Sequence, residues 1–529
     1  MATNHAIEFL IWLLIAASVI AVVAARLKVP YTVALVAGGL AIGFLHTLPM
    51  LESVTRGQRP NWLTPGVVLV LFLPPLLFES SIKLRIRRLR ENLVPILLLA
   101  NIGVLAATLI TGFAIHWVSG LPLLVALIFG SIISPTDPVS VISVFQEMGV
   151  DARLSLVLEG ESLFNDGTAV VLFAILVGGV SSGRLNIANG IGQFVVEVLG
   201  AAALGAFLGY IFSKITQQID EPRIEITLTT ILAYSSYLIA ESLHLSGIIA
   251  TVAAGIVVGN FGAIVGMSPR TRVAVWSFWE YASFVISSIL FLLIGMQVRI
   301  GALLGAWSAT LLAVGAVLLG RALSIYGLTP ISNLFTEKIP LRWQHVLVWG
   351  GLRGAVALAL VFSLQPSFPY RLDLETWTFG VVSFSILIQG LTIKPLISSL
   401  GLGAKTESDY GRARAQQIGL SSARGELDRL LARHAVSAPL YATLRRELDA
   451  NLDQAESEIT ELYKRGDARA DSELHTVRAR LMAAQRSAIR RAIADGMVSQ
   501  GTGAKLIENL NVQLENLISD LGKDRENQK

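Results

Sequence analysis

Glu161, Ser162, Asn165 and Asp166 lie within Val157–Leu172, VLEGESLFNDGTAVVL, a run whose flanks are apolar enough to cross a bilayer. Ionisable groups at that depth are costly, so by default they mark an ion or proton pathway. On a helix, Ser162 and Asp166 are i,i+4 neighbours on one face, while Glu161 and Asn165 share the adjacent face. A carboxylate then stands beside an amide oxygen, with a hydroxyl one turn behind. Oxygens so placed can replace part of the water shell of a small hard cation, and the cluster reads as an ion site. Bland roles compete at two positions. Asn165 either orients the Asp166 carboxylate or hydrogen-bonds helix termini, and Ser162 either ligates the cation or bonds back to its own helix.

Two further stretches break the spans that hold them. Ser134-Pro135-Thr136-Asp137-Pro138 has two prolines, which remove two amide donors and push Ser134 and Asp137 away from helical geometry. Thr136 and Asp137 either satisfy the freed backbone groups or join the ion site. Thr136 would do so through its hydroxyl or carbonyl, and Asp137 from farther out. Trp349-Gly350-Gly351-Leu352-Arg353-Gly354 sets three glycines around an arginine. Arg353 falls where broken helix ends expose carbonyls, so stabilising those C-terminal dipole ends is its expected task. Broken backbone at membrane depth is tolerated only where protein or water covers it. Such paired interruptions in two halves of a chain point to a secondary transporter with inverted repeats.

The elements that must position these residues are membrane spans. The chain has 529 residues, of which 53% are hydrophobic and only 15% charged, so most of it must live in lipid. Apolar runs give thirteen candidate spans, at roughly 6–25, 31–48, 65–82, 93–117, 121–144, 154–179, 188–213, 224–243, 245–265, 276–297, 303–329, 343–364 and 376–400. No Lys or Arg precedes the first, which reads as a retained span and not a cleaved signal. Arg26 and Lys28, the run Lys83 to Arg90, Arg270 and Arg272, and Lys338 and Arg342 follow spans one, three, nine and eleven. All are odd-numbered exits, so the positive-inside rule places those loops and the polar tail in the cytoplasm and the N-terminus outside. The expected fold is an all-α polytopic membrane protein of about thirteen helices. A membrane domain over 1–403 precedes a helical cytoplasmic tail over 404–529.

Other features carry weaker expectations. The basic run Lys83 to Arg90 can attract anionic lipid head groups, although setting topology suffices to explain it. Glu79, Glu241 and His244 read as interfacial, and Trp276, Trp279 and Tyr281 as an aromatic belt. In the tail, Leu427, Leu430, Leu431, Leu444 and Leu448 keep helical spacing. Breaks are expected near Gly466, Gly501 and Gly503, and a last helix around Leu506 to Leu521 can pack within the tail or against a partner. The net charge of +4 makes no case for nucleic acid. The absence of cysteine excludes thiolate metal sites, and the seven histidines lack ligand spacing, so no cofactor is expected.

Taken together, Pro135-Thr136-Asp137-Pro138, Gly160-Glu161-Ser162-Leu163-Phe164-Asn165-Asp166-Gly167 and Gly350-Gly351-Leu352-Arg353-Gly354-Ala355 resemble the sodium/proton exchanger family, a family of monovalent cation/proton antiporters. Weaker matches are Ala240 to Gly247 and Gly320 to Leu323, and the resemblance covers about residues 6–400. It implies a dimerisation bundle, hence a homodimer, and an ion-carrying bundle whose fifth and twelfth spans cross as broken helices. It implies that Asp166 carries both cation and proton; the residue reading adds Thr136, Ser162, Asn165 and Asp137 as candidate cation-site residues, with Asp166, Thr136 and Ser162 nearest the transported sodium. The Asn-Asp pair resembles the electroneutral one-for-one type. The family further suggests an ion pair between Glu161 and an arginine, with Arg321 the first candidate and Arg353 the second. The function implied is exchange of Na+, and also Li+, for H+ across the cell membrane, serving sodium and pH homeostasis, with potassium as the alternative cation and a regulatory partner or ligand for the tail. An intramembrane aspartyl protease built on Asp137 and Asp166 would need two carboxylates in nearly equivalent settings, which a Pro-flanked and an Asn-flanked aspartate do not offer. A cation channel would not require a unique protonatable carrier. The chain therefore reads as a transporter and not an enzyme.

Overall fold

A computed structural model describes residues 2–27, 29–45, 65–182, 187–219, 221–297, 301, 305–403, 409–433 and 435–464, together with 485, 489 and 506. Among these residues every regular element is helical. Backbone contacts divide the chain into two units, Met1–Gly403 and Ala404–Lys529.

The first unit opens with α1 (Ala2–Leu27), α2 (Tyr31–Leu45), α3 (Pro65–Lys83) and the short α4 (Ile86–Glu91). Then come α5 (Leu93–Ser119, with a π-turn at Leu98–Gly103), the half-helices α6 (Leu123–Ile133) and α7 (Val139–Met148), and α8 (Ala152–Ser182). α9 (Ile187–Thr216), α10 (Pro222–Ser242), α11 (Gly247–Val257), α12 (Pro269–Gln297) and α13 (Trp307–Ser332) follow. A second pair of half-helices, α14 (Leu341–Trp349) and α15 (Ala355–Ser363), precedes α16 (Arg371–Ser399). Each of the thirteen apolar stretches carries helix, and the fifth and twelfth are the two that split. Six helices among the described residues are long and apolar enough to cross a membrane without interruption: α5, α8, α9, α12, α13 and α16. The helical outcome follows from the medium, because in hydrocarbon every backbone N–H and C=O must be satisfied within the segment.

Packing relies on close backbone approach where side chains vanish. A Cβ on Gly39 would lie 2.3 Å from the Leu292 carbonyl oxygen, and one on Gly295 would lie 2.2 Å from that of Val36. α2 and α12 therefore touch backbone to backbone, the small-residue packing expected where lipid tails are as apolar as leucine.

One aromatic expectation is corrected. Tyr281 is 68% exposed, as a belt residue should be, but Trp279 is 1% exposed. Its ring packs against Phe78 at 4.8 Å, and its indole N–H donates to Thr229 Oγ1 at 3.1 Å. The helical rotation between the two positions turns Trp279 inward, and a buried indole needs a partner for its one donor. Glu241 and His244 are exposed at the link between α10 and α11, whereas Glu79 is mostly covered and paired with Lys83 at 2.6 Å.

In the second unit α17 (Asp409–Ala432) and α18 (Ala438–Lys464) form an antiparallel hairpin. Ala413, Leu427, Leu452, Ala455 and Ile459 are buried, while Leu430, Leu431 and Leu448 are half-buried and Leu444 is exposed. Arg445 bridges the turn side, pairing with Asp428 at 2.5 Å and Asp449 at 3.0 Å. The breaks expected near Gly466, Gly501 and Gly503, and the helix expected after Leu506, lie outside the described residues.

The crossing of α2 and α12 sets a test. Gly39→Leu should lower the apparent melting temperature in detergent, by an overpacking cost of about 1–3 kcal/mol. Gly192→Leu, at a position with nothing within 4 Å, should not. Equal melting of both variants in a thermal-shift assay would reject backbone contact as the basis of this pairing.

Candidate ion site

The two breaks face each other and complete each other's hydrogen bonds. The Asp137 N–H donates to the Leu352 carbonyl at 2.7 Å. In return Arg353 Nη1 donates to the Ser134 carbonyl at 2.6 Å and the Pro135 carbonyl at 3.2 Å, the last carbonyls after α6. The Arg353 backbone is held by the Ser385 hydroxyl, which accepts its N–H at 3.0 Å. Asp137 Oδ1 accepts the Val139 N–H at 3.0 Å and so caps α7. A Cβ on Gly354 would lie 2.5 Å from Asp137 Oδ2, so only glycine lets the two breaks come this close.

α8 closes the site from the side, and its faces do different work. Ser162 donates its hydroxyl to the Thr136 carbonyl. Asn165 donates to Thr136 Oγ1 at 2.7 Å and accepts the Thr136 N–H at 3.4 Å. Glu161 forms a bidentate pair with Arg321, with Nη2 donating to Oε2 at 2.8 Å; the carboxylate is fully buried and Arg321 is 7% exposed. Arg321 also donates from Nε and Nη2 to the Leu347 carbonyl, at 3.3 and 3.0 Å, near the end of α14. Gly351 gives it room, since a Cβ there would lie 2.8 Å from Nε.

Thr136, Asp137, Ser162 and Asp166 line one cavity of about 80 Å³, with Glu159 on the same wall and Ser287 of α12 opposite among its other lining residues. That volume admits a small ion with water. Asp166 Oδ1 is a buried oxygen with no hydrogen-bond partner among the described residues. Beside it the Ser162 hydroxyl, the Asn165 amide and the Thr136 carbonyl are already engaged, which leaves a buried carboxyl oxygen of a cavity-lining residue unmet.

The expected site residues thus separate into two groups. Asp166, Ser162, Thr136 and Asp137 converge on the cavity. Asn165 does not: its amide is spent on Thr136, so it holds the broken helix to α8 and does not orient the Asp166 carboxylate. Ser162 reaches across to Thr136 and makes no bond back to its own helix. Arg353 is no partner of Glu161, because its guanidinium is drawn to the carbonyls that end α6; the pair is Glu161–Arg321 alone. Glu159 and Ser287 were not foreseen. Glu159 repeats the Asp166 face two turns earlier, a signal present in the spacing, whereas nothing in the sequence marks Ser287.

A double-mutant cycle tests the pair. Glu161→Gln or Arg321→Gln alone leaves a buried charge and should cost about 3–5 kcal/mol. The double variant should regain part of the lost melting temperature, and strictly additive losses would show that the two charges are not coupled.

Residues 13–399 match the family described as sodium/hydrogen exchanger, transmembrane. The chain is 42% identical to the Na(+)/H(+) antiporter ApNhaP of Aphanothece halophytica over 79% of its length and 77% of that protein's. It is 38% identical to the Na(+)/H(+) antiporter NhaG of Bacillus atrophaeus over 87% of its length and 88% of that protein's. Its fold is similar to the solved structure of the sodium proton antiporter MjNhaP1 from Methanocaldococcus jannaschii, with a TM-score of 0.61 at 23% identity over 76% of this chain and 98% of that one. With a family match over most of the chain and relatives this similar over more than three quarters of their length, the protein belongs to the sodium/hydrogen exchanger family.

Proposed function

We propose that this multi-pass membrane protein exchanges Na+ for H+, with Asp166 as the shared carrier of both ions. The observation that carries the reading is the unpartnered buried oxygen of Asp166 on a cavity already furnished with Ser162, Thr136 and Asp137. Sodium binds only the deprotonated carboxylate, so proton and cation compete for one site. Transit of the site across the membrane is favoured when either ion neutralises Asp166 and disfavoured when the carboxylate is bare, since a naked buried charge is costly. Thr136 and Ser162 contribute oxygens, and Asp137 acts from farther out while capping α7. Glu161, Arg321, Arg353 and Asn165 keep the broken helices in place. No resident cofactor is needed.

The reading extends to thirteen spans arranged as inverted repeats, with the two broken helices crossing at the site. One sodium for one proton moves no net charge, so exchange is electroneutral, and Li+ is carried as well. The distribution of basic loops supports an external N-terminus and a cytoplasmic tail in the cell membrane, where lipid surrounds the apolar faces. The chain works as a homodimer, and residues 404–529 form a regulatory segment that meets a partner or ligand.

Asp166→Asn keeps the shape of the side chain but can neither release a proton nor balance a cation. It should abolish sodium-dependent proton flux in proteoliposomes while the protein remains folded. Substantial flux in folded Asp166→Asn would sink the carrier assignment. In the unaltered protein, activity should fall at low pH, where protons block sodium, and at high pH, where few protons return. Raising sodium should move the optimum to lower pH. A voltage-driven current, or a sodium affinity independent of pH, would bring a second titrating group such as Asp137 into the cycle. Assays with sodium, lithium and potassium in parallel fix the preferred cation. Truncation after Leu402 should leave exchange measurable with an altered pH or cation dependence; complete loss in a correctly inserted truncated protein would contradict a purely regulatory tail.

A further inference from the structure

α8 turns a second carboxylate into the ion cavity. Glu159 stands seven residues before Asp166, so the two share one helical face about 10 Å apart along the axis. Both line the cavity, with Ser162 and Leu163 between them and Leu76, Leu77 and Ser80 of α3 among the residues of its wall. The charged neighbours of Glu159 are Glu79 and Lys83, at the end of α3. Lys83 lies 2.6 Å from Glu79 and 4.0 Å from Glu280, and its side chain is 38% exposed, so the charges beside Glu159 reach the surface. Three carboxylates gather there around one ammonium, an excess of negative charge. The Glu159 side chain makes no hydrogen bond or ion pair within 4 Å among the described residues.

A carboxylate in a covered position beside lipid ordinarily requires a partner. Glu159 has none at contact distance, yet it faces a cavity that leads to the unpartnered oxygen of Asp166. On the reading of Asp166 as carrier, we propose that Glu159 is a transient ligand for the transported monovalent cation at the mouth of the cavity, and that Lys83, paired with Glu79, weakens the attraction the cation meets there. An arriving cation is drawn to the carboxylates at the mouth and held by Glu159. It then passes along the face of α8, past the Ser162 hydroxyl, to Asp166. Lys83 is a tethered cation in the same space; by occupying Glu79 it reduces the negative charge that an incoming ion meets.

Sodium-dependent proton flux in proteoliposomes, read as KM and maximal rate at low ionic strength, tests the assignment. Glu159→Gln should raise the sodium KM roughly three- to tenfold, the effect of one unit charge about 10 Å away at a dielectric between protein edge and water. The maximal rate at saturating sodium should survive. Glu159→Asp, which keeps the charge, should recover most of the lost affinity. Lys83→Gln should move KM the opposite way, to lower sodium, an effect that a merely structural role for the cluster does not produce. Added choline chloride should shrink both differences by screening. An unchanged KM in Glu159→Gln at low ionic strength, or a lost maximal rate with KM unchanged, would overturn the proposal. So would a rise in KM in Lys83→Gln. Residual exchange in Asp166→Asn would instead remove the carrier reading on which it rests, so the two failures are distinguishable.

Discussion

The structure depends on the mutual satisfaction of two broken helices. Away from water, an unpaired peptide group costs several kcal/mol, so an interruption in a span survives only where something else meets its amides and carbonyls. Here each break supplies what the other lacks. The Asp137 N–H finds the Leu352 carbonyl, and Arg353 finds the carbonyls of Ser134 and Pro135. Two of the five residues from Ser134 to Pro138 are prolines and need no acceptor at all. The remaining amides go to Ser131, Asn165 and Leu352, and the Thr136 carbonyl is taken by Ser162. Every position in the break is therefore constrained, and the polar atoms near mid-span are held in fixed directions.

That constraint explains the division of charges. Arg353 meets no carboxylate directly; it neutralises the negative ends of carbonyl dipoles, which balance only part of a full charge. Arg321 is committed to Glu161 in a two-pronged pair and to the Leu347 carbonyl. Neither guanidinium contacts Asp166. Had either done so, the carboxylate would carry a permanent counterion, and a transported cation would have to displace a bidentate arginine. The buried pair gives little net stability compared with an apolar core, because desolvation offsets attraction. The pair ties α8 to α13 and α14, and Arg321 is absent from the lining of the cavity that Asp166 shares.

Much of this was legible in the sequence because the costly features are also the conspicuous ones. A carboxylate at Asp166, prolines at 135 and 138 and glycines around Arg353 each violate the ordinary rules for a span, and a violation points to a site. The thirteen helical stretches were legible for the same reason, since long apolar runs leave the backbone no alternative. What could not be read was direction across space. Asn165 and Asp166 are adjacent in sequence but lie about 100° apart around the helix, so one grips Thr136 and the other faces the cavity. Trp279 read as part of a belt with Tyr281, yet the helix turns it into the core. Ser287 reaches the cavity from α12, more than a hundred residues from α8, and an isolated serine in an apolar run gives no warning of that.

α8 brings these arguments together. One face carries Glu161 toward Arg321, the next carries Asn165 toward the broken helix, and a third carries Glu159, Ser162 and Asp166 along the cavity. The first two faces are fully used by the protein, so their polar groups have no capacity left for an ion. The third retains carboxylate oxygens that the fold does not consume, and those are the groups that cost most to leave bare. On the proposed reading, a helix so divided would couple binding to movement without a separate linking device. Its fixed faces tie it to α13, through Arg321 to α14, and to the break after α6. On the proposed carrier reading, the unmet cost of Asp166 is the quantity that a sodium ion or a proton would remove in turn.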